Sequence, residues 1–199
     1  MAIENICAKL FKDLDSSCVA PVRGWYQQAV IFSLTDVDTS TVSLPDYTNN
    51  TCAYTVEFTL KCATKGYRIS GIEAGTNFKG WFSKTRDANG YPTYNHQVQL
   101  FLAGIDADIH CALSSLDKGR YAVALQTKSG EIVIYGFGQG LATGDYDYDI
   151  VEGGGGAVIT LTSLDTSPES LLPLIYKSGT TNGEIADFDS AFENSNACP

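Results

Sequence analysis

Three consecutive segments constrain this chain most. They are the run Gly144-Asp145-Tyr146-Asp147-Tyr148-Asp149-Ile150, the four glycines Gly153 to Gly156, and the run Ala157-Val158-Ile159-Thr160-Leu161-Thr162. Strand periodicity puts the three aspartates on one face and the two tyrosines on the other. The glycines supply a turn, and the second run supplies a partner strand. A row of like charges on one sheet face repels itself in a small monomer. It is expected where that face borders water, a cation or an aqueous channel.

The rest of the composition narrows the class. A chain of 199 residues is read as one domain with enough apolar sequence, 44%, to build a core. A net charge of −10 argues against a general nucleic-acid coat, which needs a basic stripe. Lys79, Lys84 and Arg86 are the nearest approach to a basic group. No stretch reaches the roughly 18–20 apolar residues of a membrane helix. The start, Met1-Ala2-Ile3-Glu4-Asn5, lacks the basic and apolar regions of a signal peptide. The six cysteines (Cys7, Cys18, Cys52, Cys62, Cys111 and Cys198) include no C-x-x-C pair, so no zinc or thioredoxin-type site is expected. With no export signal, reduced thiols and synthesis in a cytoplasm are expected.

Local patterns give an order of elements. Ile3, Ile6, Cys7, Leu10, Phe11 and Leu14 have helical spacing, which predicts a helix over 3–15. Trp25 to Leu34 reads as a strand, and Tyr54 to Leu60 alternates like a strand with one buried face. Residues 77–86 and 91–102 form one long hairpin across Asp87-Ala88-Asn89-Gly90. In its second arm Tyr94, His96, Val98, Leu100 and Leu102 share a face, and Thr93, Asn95, Gln97, Gln99 and Phe101 share the other. Ile105, Ile109, Ala112, Leu113 and Leu116 then predict a helix over 105–117. Arg120 to Thr127 and Glu131 to Phe137 form a further hairpin. The polar tail from Lys177 carries Ile185, Phe188 and Phe192 at the spacing of one short helix. The pattern predicts a mainly β fold, a sandwich or half-barrel of antiparallel hairpins with one packed helix. The divisions are an N-terminal helical arm over 1–20, a β domain over 21–176 and a polar arm over 177–199.

No motif in the chain asks for catalysis, a cofactor or a metal. His96 and His110 are the only histidines, and each reads as structural. Gly136-Phe137-Gly138-Gln139-Gly140 is G-x-G-x-G with no helix behind it, so it reads as a bulge or close strand packing, not a phosphate loop. Asp145, Asp147 and Asp149 imitate the start of an EF-hand loop, but Ile150 stands where the glycine is needed. No two of the 23 acids are singled out for glycoside hydrolysis. The long hairpin suggests assembly. Its arms exceed the usual strand of about 5–6 residues, so part of it projects and invites pairing with another chain.

At this level the chain resembles tail-tube-type virion proteins of tailed bacteriophages, in particular those of phages of Bacteroidetes hosts. The resemblance rests on Gly71-Ile72-Glu73-Ala74-Gly75 before the long hairpin, on Tyr91 to Leu102, and on Gly119-Arg120-Tyr121. It continues through Tyr135-Gly136-Phe137-Gly138-Gln139-Gly140-Leu141 and Ile159-Thr160-Leu161-Thr162-Ser163, and covers about residues 20–176. It implies subunits that form rings, commonly hexameric, which stack into a tube that conducts DNA. Related folds serve as tail-terminator, neck-ring and hub proteins. On that reading the partners are other copies of the chain and other tail or neck proteins. DNA is passing cargo, no membrane is involved, and the protein resides in the virion. Asp145, Asp147, Asp149, Asn95, Gln97 and Gln99 would face an acidic lumen. Phe78, Trp81, Phe82, Tyr91 and Tyr94 would form the hairpin's contact with a neighbouring subunit. The alternatives are a capsid-decoration or fibre-attachment protein, a carbohydrate-binding module using Trp25, Trp81 and exposed tyrosines, and a hydrolase on unidentified carboxylates.

Overall fold

Alternating and continuous apolar runs build two different leaves of one sheet. A computed structural model describes residues 24–43, 54–71, 78–104, 106–146, 148–149, 155–180 and 183–194. The helix expected over 3–15 lies outside the described residues. The first leaf is built on β1 (Trp25–Ser33), β6 (Tyr121–Thr127) and β7 (Ile132–Tyr135). β6 lies antiparallel between β1 and β7, and β3 (Tyr67–Ser70) pairs with the other side of β1. β11 (Leu174–Tyr176) adds to β7, and β2 (Thr55–Val56) adds parallel to β11.

The second leaf is β4 (Lys79–Arg86), β5 (Pro92–Ala103) and β10 (Gly156–Ser163), all antiparallel. β8 (Leu141–Thr143) and β9 (Tyr148–Asp149) pair with two ends of β10 on the side away from β5. The leaves join where Tyr121 of β6 pairs with Leu141 of β8. Gly156 is required at the start of β10, because a Cβ there would fall 2.1 Å from the Leu102 carbonyl oxygen.

The core follows from strand alternation. Ala29, Ile31, Val123, Leu125, Val133 and Tyr135 point from the first leaf into a cluster shared with Val98, Leu100, Leu102, Ala157, Ile159 and Leu161 of the second. Helix α1 (Ala107–Leu116) closes this cluster with Leu113 and Leu116. Asp106 caps it by accepting from Ile109 N at 2.9 Å. Of the rest of the expected stripe, Ile109 packs half-buried against the same cluster, Ala112 is exposed, and Ile105 lies outside the described residues. The fold is therefore mainly β with one helix packed over the cluster, as the pattern predicts.

The other face of the first leaf builds a second cluster. Val30, Phe32, Ala122, Ala124, Ile132 and Ile134 meet Val56, Phe58 and Leu60 there. Val56, Phe58 and Leu60 alternate as predicted, although only Thr55–Val56 is strand; Glu57 and Leu60 make isolated bridges to Ser43 and Val37. The tail folds back into this cluster. Helix α2 (Glu184–Asp189) buries Phe188, and Phe192 follows in a left-handed turn against Phe32, Phe58 and Tyr176. Ile185 of the expected stripe stays exposed.

Two expectations are corrected. The aspartate–tyrosine run is not a seven-residue strand. Gly144 N still bonds Thr160 O, but the chain then leaves the sheet so that Tyr146 Oη can donate to Asp117 Oδ2 at 3.0 Å. Thr143 Oγ1 donates to the other oxygen of the same carboxylate. Among the described residues of the run, only Tyr148–Asp149 pair with β10. Cys62 is disulfide-bonded, so the expectation of reduced thiols does not hold there. Cys111 is free and exposed.

Candidate functional site: the projecting hairpin and the open sheet face

The hairpin grips the core at its root and leaves it toward its tip. In β5 the residues His96, Val98, Leu100 and Leu102 are buried, and Asn95, Gln97, Gln99 and Phe101 are half-buried on the opposite face. From Trp81 through Pro92 every residue is exposed, on both faces of the ribbon. The turn is held by the Asp87 carboxylate, which accepts from Asn89 N at 2.9 Å and Tyr91 N at 2.8 Å. Gly90 sits at φ +87, a conformation that glycine adopts without strain.

The five aromatics assigned to subunit contact divide by their place along the ribbon. Trp81, Phe82 and Tyr91 are 38%, 46% and 69% exposed. Phe78 is 2% exposed and belongs to the core, packed over Gly71. Tyr94 is half-buried at the root, where its ring meets Phe82 edge-on and its backbone pairs with Glu169. The outer edge of β4 has no partner strand among the described residues. That edge strand carries Lys79, Lys84 and Arg86 and no acid.

Register defines the open face. Trp81 stands opposite Gln97 and Lys79 opposite Gln99, while Thr160 and Thr162 flank Gln99 and Gln97 from β10. Thr162 Oγ1 donates to Asn95 Oδ1 at 3.0 Å. The face is a plane of hydroxyls and amides, bordered by Trp81 and Val158. Of the acids expected beside Asn95, Gln97 and Gln99, Asp145 is exposed but lies outside any strand. Asp147 lies outside the described residues, and the backbone of Asp149 pairs opposite Gly156. The structure thus brings the three amides together and does not bring Asp145 into their row.

The root of the hairpin holds a polar arrangement that local patterns did not indicate. Tyr94 and Glu169 exchange backbone hydrogen bonds at 2.8 and 2.9 Å. The buried Glu169 carboxylate accepts from Gly138 N at 3.1 Å and Gln139 N at 2.8 Å. The Gly136–Gly140 segment is therefore a turn between β7 and β8, with positive φ at both end glycines, whose amides hold an internal carboxylate. Burial raises the pKa of Glu169, and the amides of Gln139, Gly138 and Gly140 oppose that shift. Only the glycine pattern signalled this loop; Glu169 lies some thirty residues on, and nothing near it marks the partner.

The two histidines stand in different settings. His110 is exposed on α1. His96 is 2% exposed, its Nδ1 accepts from Gly136 N at 3.1 Å, and its ring lies edge-on to Tyr135 at 5.8 Å. Burial lowers its pKa to about 4. Trp25 is half-buried and packs edge-on against Tyr135 at 6.2 Å. Among the described residues no three His, Cys, Asp or Glu side chains are grouped to hold a metal ion, and no helix is long and apolar enough to cross a membrane. Comparison with family models, with curated proteins and with solved structures finds no match for this chain.

Proposed function

We propose that this chain is a non-enzymatic structural subunit that assembles with copies of itself into stacked rings of a phage tail tube or neck, through which DNA passes. The observation that carries this reading is the β4–β5 ribbon, exposed on both faces from Trp81 to Pro92 with its outer edge unpaired among the described residues. A monomer gains nothing from holding Trp81, Phe82 and Tyr91 in water. A second chain that covers them would bury apolar area worth about 25 cal/mol per Å².

Charge favours an unlike edge as the partner. Three of the 13 Lys and Arg residues stand on β4, in a chain of net charge −10. Like-with-like pairing of two β4 edges would oppose these cations, so the edge resists symmetric dimers. An acidic surface of the next copy suits it, and Asp145 is exposed on the far side of the same leaf. A head-to-tail contact of this kind closes into a ring when the rotation between neighbours divides a full turn. The plane of Asn95, Gln97, Gln99, Thr160 and Thr162 would then line the lumen. It is polar enough to stay wet and carries too few cations to hold phosphate.

Negative-stain electron microscopy over a concentration series tests the proposal. Rings or tubes with a central hole are expected. A protein that stays monomeric at every concentration, alone and with its neighbouring virion proteins, contradicts it.

A further inference from the structure

A cavity of about 520 Å³ opens beside the hairpin root, away from the polar plane. Its wall is mainly apolar, with Leu34, Val37, Val42, Ile134, Phe137 and Leu171. Two buried polar side chains, His96 and Glu169, also line it. The size falls in the usual range of small-molecule sites, about 300–1,000 Å³, and so does a greasy wall with a few placed polar groups.

The state of His96 turns this shape into a recognition argument. Nδ1 accepts the Gly136 amide hydrogen, so it carries no proton. The neutral ring must then carry its proton on Nε2, which makes Nε2 a donor. That donor is buried and makes no hydrogen bond among the described residues. The backbone carbonyl of Leu171, a cavity-wall residue, favours a proton on the ring without reaching hydrogen-bonding geometry with Nε2. A buried donor left unmade is costly and uncommon in folded chains. Glu169 cannot take its place, because its carboxylate is committed to the Gly138 and Gln139 amides.

We propose that this cavity binds a compact, neutral, mostly apolar molecule through one oxygen acceptor, of the alcohol or ketone class, which receives the hydrogen bond from His96 Nε2–H. The apolar wall selects the hydrocarbon body. The Glu169 carboxylate in the same wall disfavours anions. Such a ligand would brace the hairpin root, since the cavity wall includes His96 on β5 and Glu169, which pairs with Tyr94.

The test uses thermal unfolding and calorimetry of the full chain with three probes: cyclohexanone, methylcyclohexane and cyclohexanecarboxylate. Cyclohexanone should bind saturably and raise Tm by roughly 3–5 °C at ten times its Kd. Methylcyclohexane, which lacks an acceptor, should bind about threefold to tenfold more weakly. The carboxylate should bind more weakly than the ketone. Val42→Trp, at a half-buried wall position, should fill the space and abolish the response while the protein still melts cooperatively. His96→Leu should bring the ketone and the hydrocarbon to equal affinity; if that variant does not fold, the wild-type probe comparison decides alone. No saturable binding by cyclohexanone, equal binding of ketone and hydrocarbon to the wild type, preference for the anion, or an unchanged response in Val42→Trp would each overturn the proposal.

Discussion

β6 and β5 are both long strands, and they are buried in opposite ways. β6 has Ala122 and Ala124 in one apolar cluster and Val123 and Leu125 in the other, so both of its faces are dry. β5 buries His96, Val98, Leu100 and Leu102, and holds Asn95, Gln97 and Gln99 on a wetter face. The first leaf is thus the middle layer of the molecule, and the second leaf is a wall. The central strands β6 and β7 of the first leaf have little surface left to offer, although β3 at its edge exposes Tyr67 at 72%. The second leaf combines a polar plane with an open edge strand, the two features an assembling wall needs.

The largest expected effects test the depth of burial. Phe58→Ala should cost about 3–5 kcal/mol in urea unfolding, because Phe58 stacks on Phe32 with centroids 5.1 Å apart and meets Phe137, Tyr176 and Phe192 as well. Leu125→Ala and Leu100→Ala should each cost about 2–5 kcal/mol. The contrast lies with their neighbours. Polar replacement of Ala124 should unfold the protein as surely as replacement of Leu125. Gln99→Ala, beside Leu100, should stay within about 0.5 kcal/mol. If Gln99→Ala destabilises the protein as much as Leu100→Ala does, the one-sided wall is wrong.

Next in size comes the polar root, where pH separates two buried groups. Folding depresses the pKa of His96 from its ordinary value of 6.5 to about 4. The unfolded chain therefore takes up the proton first, and stability falls as pH drops from about 6.5 to 4, by at most about 3 kcal/mol. Glu169 has the opposite sign. Its raised pKa favours the protonated folded form, so it adds stability as pH falls toward its unfolded value of 4.5. Glu169→Gln should cost about 1–3 kcal/mol, since one amide donor loses its acceptor. It should also make the loss of stability between pH 6.5 and 4 steeper. A shallower acid transition in that variant would contradict the assignment.

The smallest effect on stability should accompany the largest effect on assembly. Trp81→Ser with Phe82→Ser should change unfolding by less than about 1 kcal/mol, since both side chains are well exposed in the single chain. The same pair should abolish ring formation in sedimentation or mass photometry. Lys84→Glu should slow assembly and reverse its salt dependence, because screening weakens attraction at the native edge and repulsion at the altered one. Normal assembly by the aromatic pair variant would move the interface away from β4.

The sequence made the second leaf more legible than the first. The alternation of Tyr94 to Leu102 and the Asn89-Gly90 turn place the hairpin, its buried face and its polar face within a few residues of their positions. The dense apolar runs around β6 and β7 announce strands but not that both faces are covered, because the second cover comes from distant segments. Phe188 and Phe192 read as a stripe on a short helix, yet which surface receives them depends on tertiary packing. The aspartate–tyrosine run misled for a related reason. Its period is that of a strand, but Asp117, at the end of α1, draws Tyr146 out of the sheet. The Glu169 cradle had no local signature, since its donors are backbone amides that any residues could supply.

Hydrogen exchange at β4, measured by mass spectrometry at dilute and at assembling concentrations, tests the central claim most directly. In the single chain the outward amides of Lys79–Arg86 have no partner strand among the described residues and should exchange fast. If a neighbouring copy pairs with this edge, peptides covering 79–86 should become protected as rings form, while those covering β6 stay unchanged. Rings that form with β4 still exchanging at its dilute rate would contradict the account.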